Sequence, residues 1–186
     1  MAMFPTEQLK EEHSGIKLML DILAKVCDRL ESGKRVDQRH LDQILEFLKV
    51  FVDKCHHAKE EDILFPAMER AGIPAEGGPI GVMLAEHRLG RENIKGMSEA
   101  AAKLGRGDRS ASSQFVQNAR SYIELLLAHI EKENEILYPM ADSHIPKKTQ
   151  EELLADFEKV EEERVGHGKH EEFHRLLDHL REIYIT

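Results

Sequence analysis

Six side chains in this sequence have the types and spacing of a metal-binding set: His13, His56, Glu60, His87, His129 and Glu133. Two of the histidines open an HxxxE pair, His56 with Glu60 and His129 with Glu133. On a helix that spacing puts an imidazole and a carboxylate one turn apart on one face, where both can reach one metal site. A carboxylate has two oxygens and can bridge two ions. Four neutral imidazoles with two carboxylates form a nitrogen and oxygen set that suits iron or manganese, and no thiolate in the set favours structural zinc. Two bridging carboxylates and two imidazoles give each of two ions four protein bonds, which leaves positions open for a small ligand.

The set is built by an internal repeat. His56, Glu60 and Pro66 follow Glu12-His13 with nearly the spacing at which His129, Glu133 and Pro139 follow Glu86-His87. Locally, His56-His57-Ala58-Lys59-Glu60-Glu61-Asp62-Ile63-Leu64-Phe65-Pro66 aligns with His129-Ile130-Glu131-Lys132-Glu133-Asn134-Glu135-Ile136-Leu137-Tyr138-Pro139. A lone His on an apolar face is usually a hydrogen-bonded core residue. Six polar residues duplicated in this way point to a dinuclear centre.

The elements that must position them follow from apolar periodicity. Breakers at Gly33, Gly72 to Pro79, Gly105 to Gly107, Pro146 and Gly166 to Gly168 divide the chain into four long segments and a tail. The seams run Leu9, His13, Ile16, Leu20, Leu23, Cys27; Leu41, Leu45, Leu48, Val52, His56, Glu60, Ile63; Ile80, Met83, His87, Gly90, Ile94, Met97; and Phe115, Ala119, Tyr122, Leu126, His129, Glu133, Ile136, Met140. Alternating steps of three and four predict helices packed nearly antiparallel around one core. If the turns fall near residues 31–38 and 104–112, all four histidines lie at similar depth. The fold class is therefore all-α, an up-down four-helix bundle over residues 1–142 with a C-terminal helical extension, 143–186, packed on it.

Composition excludes several alternatives. A formal charge of −9 argues against a sequence-independent grip on nucleic acid. No apolar run approaches the roughly 20 residues of a membrane span, and Met1 to Pro5 lacks the basic and apolar regions of a leader. Cys27 and Cys55 are too few for a disulfide scaffold and lack CxxC spacing. A cytoplasmic protein is expected.

The spaced histidines and glutamates, with the following Leu-Phe-Pro and Leu-Tyr-Pro, resemble the hemerythrin and HHE cation-binding domains over roughly residues 6–142. The stretch Gly78-Pro79-Ile80-Gly81-Val82-Met83-Leu84-Ala85-Glu86-His87 is similar to the start of the third helix in bacterial members. The resemblance implies an antiparallel four-helix bundle with two iron ions in a non-haem di-iron centre. It also implies dioxygen or nitric oxide as the small partner, taken up for storage, sensing or stress response. The alternative is an enzyme that reduces nitric oxide or peroxide, or a donor of iron for repair of damaged iron centres. Five-histidine oxygen carriers of the family use an HxxxH pair on the third helix. Here the corresponding positions are Met83 and Arg91, which matches the six-ligand bacterial variants better.

Other residues carry weaker signals. His170 in the tail is either a packing residue or a further ligand. His57, His144 and His179 are expected to be solvated, Cys55 half-buried, and Tyr122 packed in the core. Gly90 either allows close helix packing or leaves space beside an open metal position.

Overall fold

The computed structural model describes residues 4–166 and 168–185; His167 of the Gly166-to-Gly168 breaker, and Met1 to Met3, lie outside them. The described residues are helical with short turns and contain no strand. The first rod is α1, Pro5–Glu31. Pro5 at its first turn uses a position where a missing N–H costs nothing, and Glu7 accepts a hydrogen bond from the Phe4 N–H at 2.8 Å. The second rod combines α2, Gln38–Phe47, with π-helical segments Leu48–His57 and Glu60–Leu64 and the short α3, Phe65–Arg70. The third is α4, Pro79–Gly105, and the fourth is α5, Ala111–Lys132, continued by a π segment, Glu133–Leu137, and α6, Tyr138–His144. Gly78, before α4, packs so tightly on the preceding loop that a Cβ there would lie 2.3 Å from the Pro74 carbonyl oxygen.

The four rods bury the expected seams. Ile16, Leu20, Leu23 and Cys27 cluster with Leu41, Leu45, Leu48 and Val52 and with Ile94, Met97, Phe115, Ala119 and Tyr122, whereas Leu9 packs at the other end with Leu64 and Ile80. The apolar core falls into two clusters. One runs toward the Gly33 and Gly107 turns, and the other surrounds Phe65, Met68, Ile80, Leu137 and Tyr138. The six polar seam residues lie between these clusters.

Two departures from a regular period bear on the site. The amide of Phe65 donates to the carbonyl of Glu60, and that of Tyr138 to Glu133, five residues back in each case. Pro66 and Pro139 follow at once, and a proline collides with the carbonyl four residues before it, so the wider turn relieves the ladder where it must break. The extra residue shifts the register. Leu64, Phe65, Leu137 and Tyr138 turn inward, whereas Ile136, expected on the seam, is 53% exposed and Ile63 only half-buried. The longer π segment, Leu48–His57, widens the second rod in the same way, so every residue from Cys55 to Glu60 is buried.

Two further helices follow, α7, Lys147–Val160, extended by a π segment, Glu161–Val165, and α8, Lys169–Tyr184. Leu153 and Phe157 join one core cluster, and Phe173, Leu177, Leu180 and Tyr184 the other. Arg29 donates to the Ile183 carbonyl at 2.7 Å, Gln8 to Glu161 at 2.8 Å, and Arg164 pairs with Asp62 at 2.7 Å. No helix among the described residues is long and apolar enough to cross a membrane.

Candidate metal centre

The six residues singled out by spacing converge. Each is no more than 1% exposed. Nε2 of His13 lies 3.1 Å from Nε2 of His56, and Nε2 of His87 lies 3.1 Å from Nε2 of His129. Glu133 spans the two pairs, with Oε1 2.9 Å from His129 Nε2 and Oε2 3.2 Å from His13 Nε2. Glu60 faces both from the other side, its Oε2 being 3.4 Å from His87 Nε2 and 3.9 Å from His56 Nε2. Two groups could each hold an ion: His13, His56 and Glu133, and His57, Glu60, His87 and His129.

Each imidazole is held from its outer edge. Nδ1 of His56 donates to Glu12 at 2.7 Å, that of His129 to Glu86 at 2.8 Å, that of His87 to Glu61 at 2.6 Å and that of His13 to Asn134 Oδ1 at 2.9 Å. Burial would raise the Glu12 carboxyl, but the His56 hydrogen bond, with the charges of His56 and Lys59, outweighs it and holds the group down at about 2. Burial opposes ionisation of Glu61 and Glu86 too. The hydrogen bonds from His87 and Arg91, and from His129 and Lys132, lower both. Ionised carboxylates only accept, so Nδ1 carries the proton and Nε2 presents a lone pair to the centre.

That arrangement tests the donor set. Four Nε2 lone pairs meet inside the bundle beside Glu60 Oε2 and both carboxylate oxygens of Glu133, none of which has a hydrogen-bond partner. Lone pairs facing lone pairs in a buried site repel, and the carboxylates are costly there without a cation. The 3.1 Å gaps are close to the ~3 Å between neighbouring nitrogens about 2.1 Å from one ion. Where the centre attracts a proton instead, the effect is large. Burial would lower the His129 imidazole, yet Glu133, Glu86 and Glu60 push it up to about 10. The residues present fit a cationic group.

A family model described as the hemerythrin HHE cation binding domain matches residues 5–141. This chain belongs to that family. Among relatives of this HHE protein, an uncharacterized protein of Mycobacterium bovis is 23% identical over 177 residues, covering 95% of this chain and 68% of the relative. Proteins named iron-sulfur cluster repair protein YtfE are 30% identical in Yersinia pseudotuberculosis, over 71% of this chain, and 29% identical in Edwardsiella ictaluri, over 66%. The HHE chain spans 58% and 56% of those two relatives' lengths. No solved structure gives a significant match.

Several residues of the HHE site escaped the seam reading. Glu12 and Glu86 each precede a seam histidine and hold the histidine of the neighbouring HxxxE. Lys59 and Lys132, three residues after those histidines, bind the same glutamates. Asn134 and Glu61 each follow an HxxxE glutamate and orient a histidine of the other hairpin. All are visible in the repeat alignment as matched polar positions. Tyr138 donates to Glu60 Oε1 at 2.7 Å and stacks on His13 at 5.6 Å, while its counterpart Phe65 stacks on His87 at 6.1 Å.

His57, expected in solvent, is only 3% exposed and stacks on His87 with ring centroids 3.9 Å apart. Burial, together with the imidazoles of His87, His56 and His129, pushes it well below the ordinary histidine range. The π-helical widening of the second rod turns it inward beside His56. Cys55 is fully rather than half buried, and burial raises its thiol to about 12, so it is a packing residue. His170 packs edge-on against Phe51, outside both groups. A Cβ at Gly90 would meet only the Tyr122 ring, at 3.4 Å, which favours the close-packing reading of that glycine.

Proposed function

We infer that this HHE protein holds two iron ions, one at His13 and His56 and one at His87 and His129, with Glu60 and Glu133 bridging them. The supporting observation is the convergence of four lone-pair nitrogens and unpartnered carboxylate oxygens in a buried centre. Its inferred role is to bind a small diatomic ligand, dioxygen or nitric oxide, for storage, sensing or stress response. When bound, the ions supply open positions for such a ligand and a change of oxidation state.

The chain's own residues do the rest. Glu12, Glu86, Glu61 and Asn134 lock the four imidazoles into the Nε2-inward tautomer, which removes the cost of reorienting them. The two apolar clusters above and below exclude water and so strengthen the electrostatics inside. Tyr138, stacked on His13, commits its single hydroxyl proton to Glu60 Oε1 and so fixes the orientation of that carboxylate at the centre.

A second reading, in which the protein donates iron for repair of damaged iron centres, is favoured by the likeness to proteins named for iron-sulfur cluster repair. Anaerobically reduced, iron-loaded protein is mixed with dioxygen or nitric oxide and its optical spectrum followed. A stable, reversible band supports binding. Rapid consumption of the ligand supports turnover, and transfer of iron to an apo iron-sulfur acceptor supports repair. A spectrum unchanged by either gas overturns the diatomic-ligand reading.

A further inference from the structure

The geometry points to His57 as a fifth histidine of the centre, a ligand of the ion at His87 and His129, so that the two ions are unequal. This deepens the two-ion reading and rests on it. One ring nitrogen each of His57, His87 and His129 and one oxygen of Glu60 lie within 4.8 Å of one another. His57 is buried, and its Nδ1 has no hydrogen-bond partner. The Asp53 carboxylate oxygen Oδ1 is 3.5 Å away, beyond good hydrogen-bond reach, and already accepts from Arg91 Nε at 2.7 Å. A buried polar nitrogen left unpaired is costly. Coordination would relieve that cost. The ring stacks face to face on His87, so ligation requires it to turn about its Cβ–Cγ bond.

The repeat makes this imidazole one-sided. His57 aligns with Ile130, a buried apolar residue that offers no lone pair. The aromatic pair is one-sided in the opposite sense, with Phe65 over His87 and the hydroxyl-bearing Tyr138 over His13. One ion would thus have three imidazoles under an apolar ring, and the other two imidazoles beside a tyrosine whose hydroxyl holds Glu60. With both carboxylates shared, the first ion has five protein bonds and the second four. The more open position lies at the His13 and His56 ion, so a small ligand binds there. The side-chain inventory of a five-histidine carrier is regained from a different place, the residue after His56 rather than a turn from His87.

The test uses iron-loaded parent protein and His57→Phe, which keeps the ring stack and removes both nitrogens. Elemental analysis of the parent comes first, because fewer than two irons per chain defeats the two-ion reading whatever His57 does. With two irons in the parent, chelator competition on His57→Phe is expected to show one iron lost about 10–100-fold more readily and the other unchanged. Mössbauer spectra should show one of two doublets altered. Two irons retained with parental affinity and both doublets unchanged overturn the proposal. Should the variant not fold, the reduced parent decides by proton NMR: five paramagnetically shifted exchangeable imidazole N–H signals support a fifth ligand, and four overturn it.

Discussion

Tyr138 reaches across the bundle to Glu60, its hydroxyl donating to Oε1 at 2.7 Å in the interior. The contact joins the end of the fourth rod to the carboxylate of the second, and Phe65 in the equivalent place of the other hairpin makes no counterpart. A hydrogen bond to a buried charged acceptor contributes about 1.5–3 kcal/mol. Tyr138→Phe should lower apo-protein stability by that amount in urea titration. Phe65→Tyr deletes no hydrogen bond, so it should not reproduce that loss. Equal effects of the two substitutions would contradict the one-sided contact.

Metal removal is the second test. The centre gathers four lone-pair nitrogens and two carboxylates that a cation would satisfy, and binding to the folded state alone adds to stability. Iron-loaded protein should melt well above chelator-treated protein, by several kcal/mol. Glu133→Ala, which removes the group spanning both histidine pairs, should abolish most of that difference. Identical melting curves with and without iron would sink the site.

Acid should weaken the fold through Glu12. Its carboxyl is held at about 2 in the folded protein against 4.5 in an unfolded chain, so it contributes stability above pH 4.5 that is lost as the pH falls toward 2. The difference corresponds to about 3 kcal/mol at neutral pH. Urea midpoints of the parent should drop through this window, and those of Glu12→Gln should start lower and fall less. A parallel pH profile for the variant would rule Glu12 out as the source.

The repeat and the heptad-like steps are local signals, which is why His13, His56, Glu60, His87, His129 and Glu133 could be placed from sequence and all meet inside the bundle. His57 and Ile136 could not be placed correctly. The orientation of Ile136 depends on the π turn before Pro139 and that of His57 on the longer π segment Leu48–His57, and a fixed period carries neither. Nor could Glu161 be found. It lies outside the repeat, and its approach to Lys59 depends on how the tail folds back over α1.

That approach yields the last prediction, since the repeat supplies its own control. Lys59 and Lys132 are equivalent, each binding the glutamate that orients an HxxxE histidine. Lys59 is wholly buried, bound to both Glu12 and Glu161 with its ammonium 5.7 Å from the Phe157 ring, whereas Lys132 is 37% exposed and bound to Glu86. Removing one partner of a buried pair leaves an uncompensated charge and costs about 3–5 kcal/mol, while an exposed pair contributes about 0–1 kcal/mol. Lys59→Ala should therefore destabilise the protein several times more than Lys132→Ala. Glu161→Gln, which leaves Lys59 its Glu12 partner, should fall between them and speed hydrogen exchange in α7. Urea midpoints for the three variants and exchange rates for residues 147–165 give the comparison. Equal losses for the two lysines would show that the tail does not seal the Lys59 half.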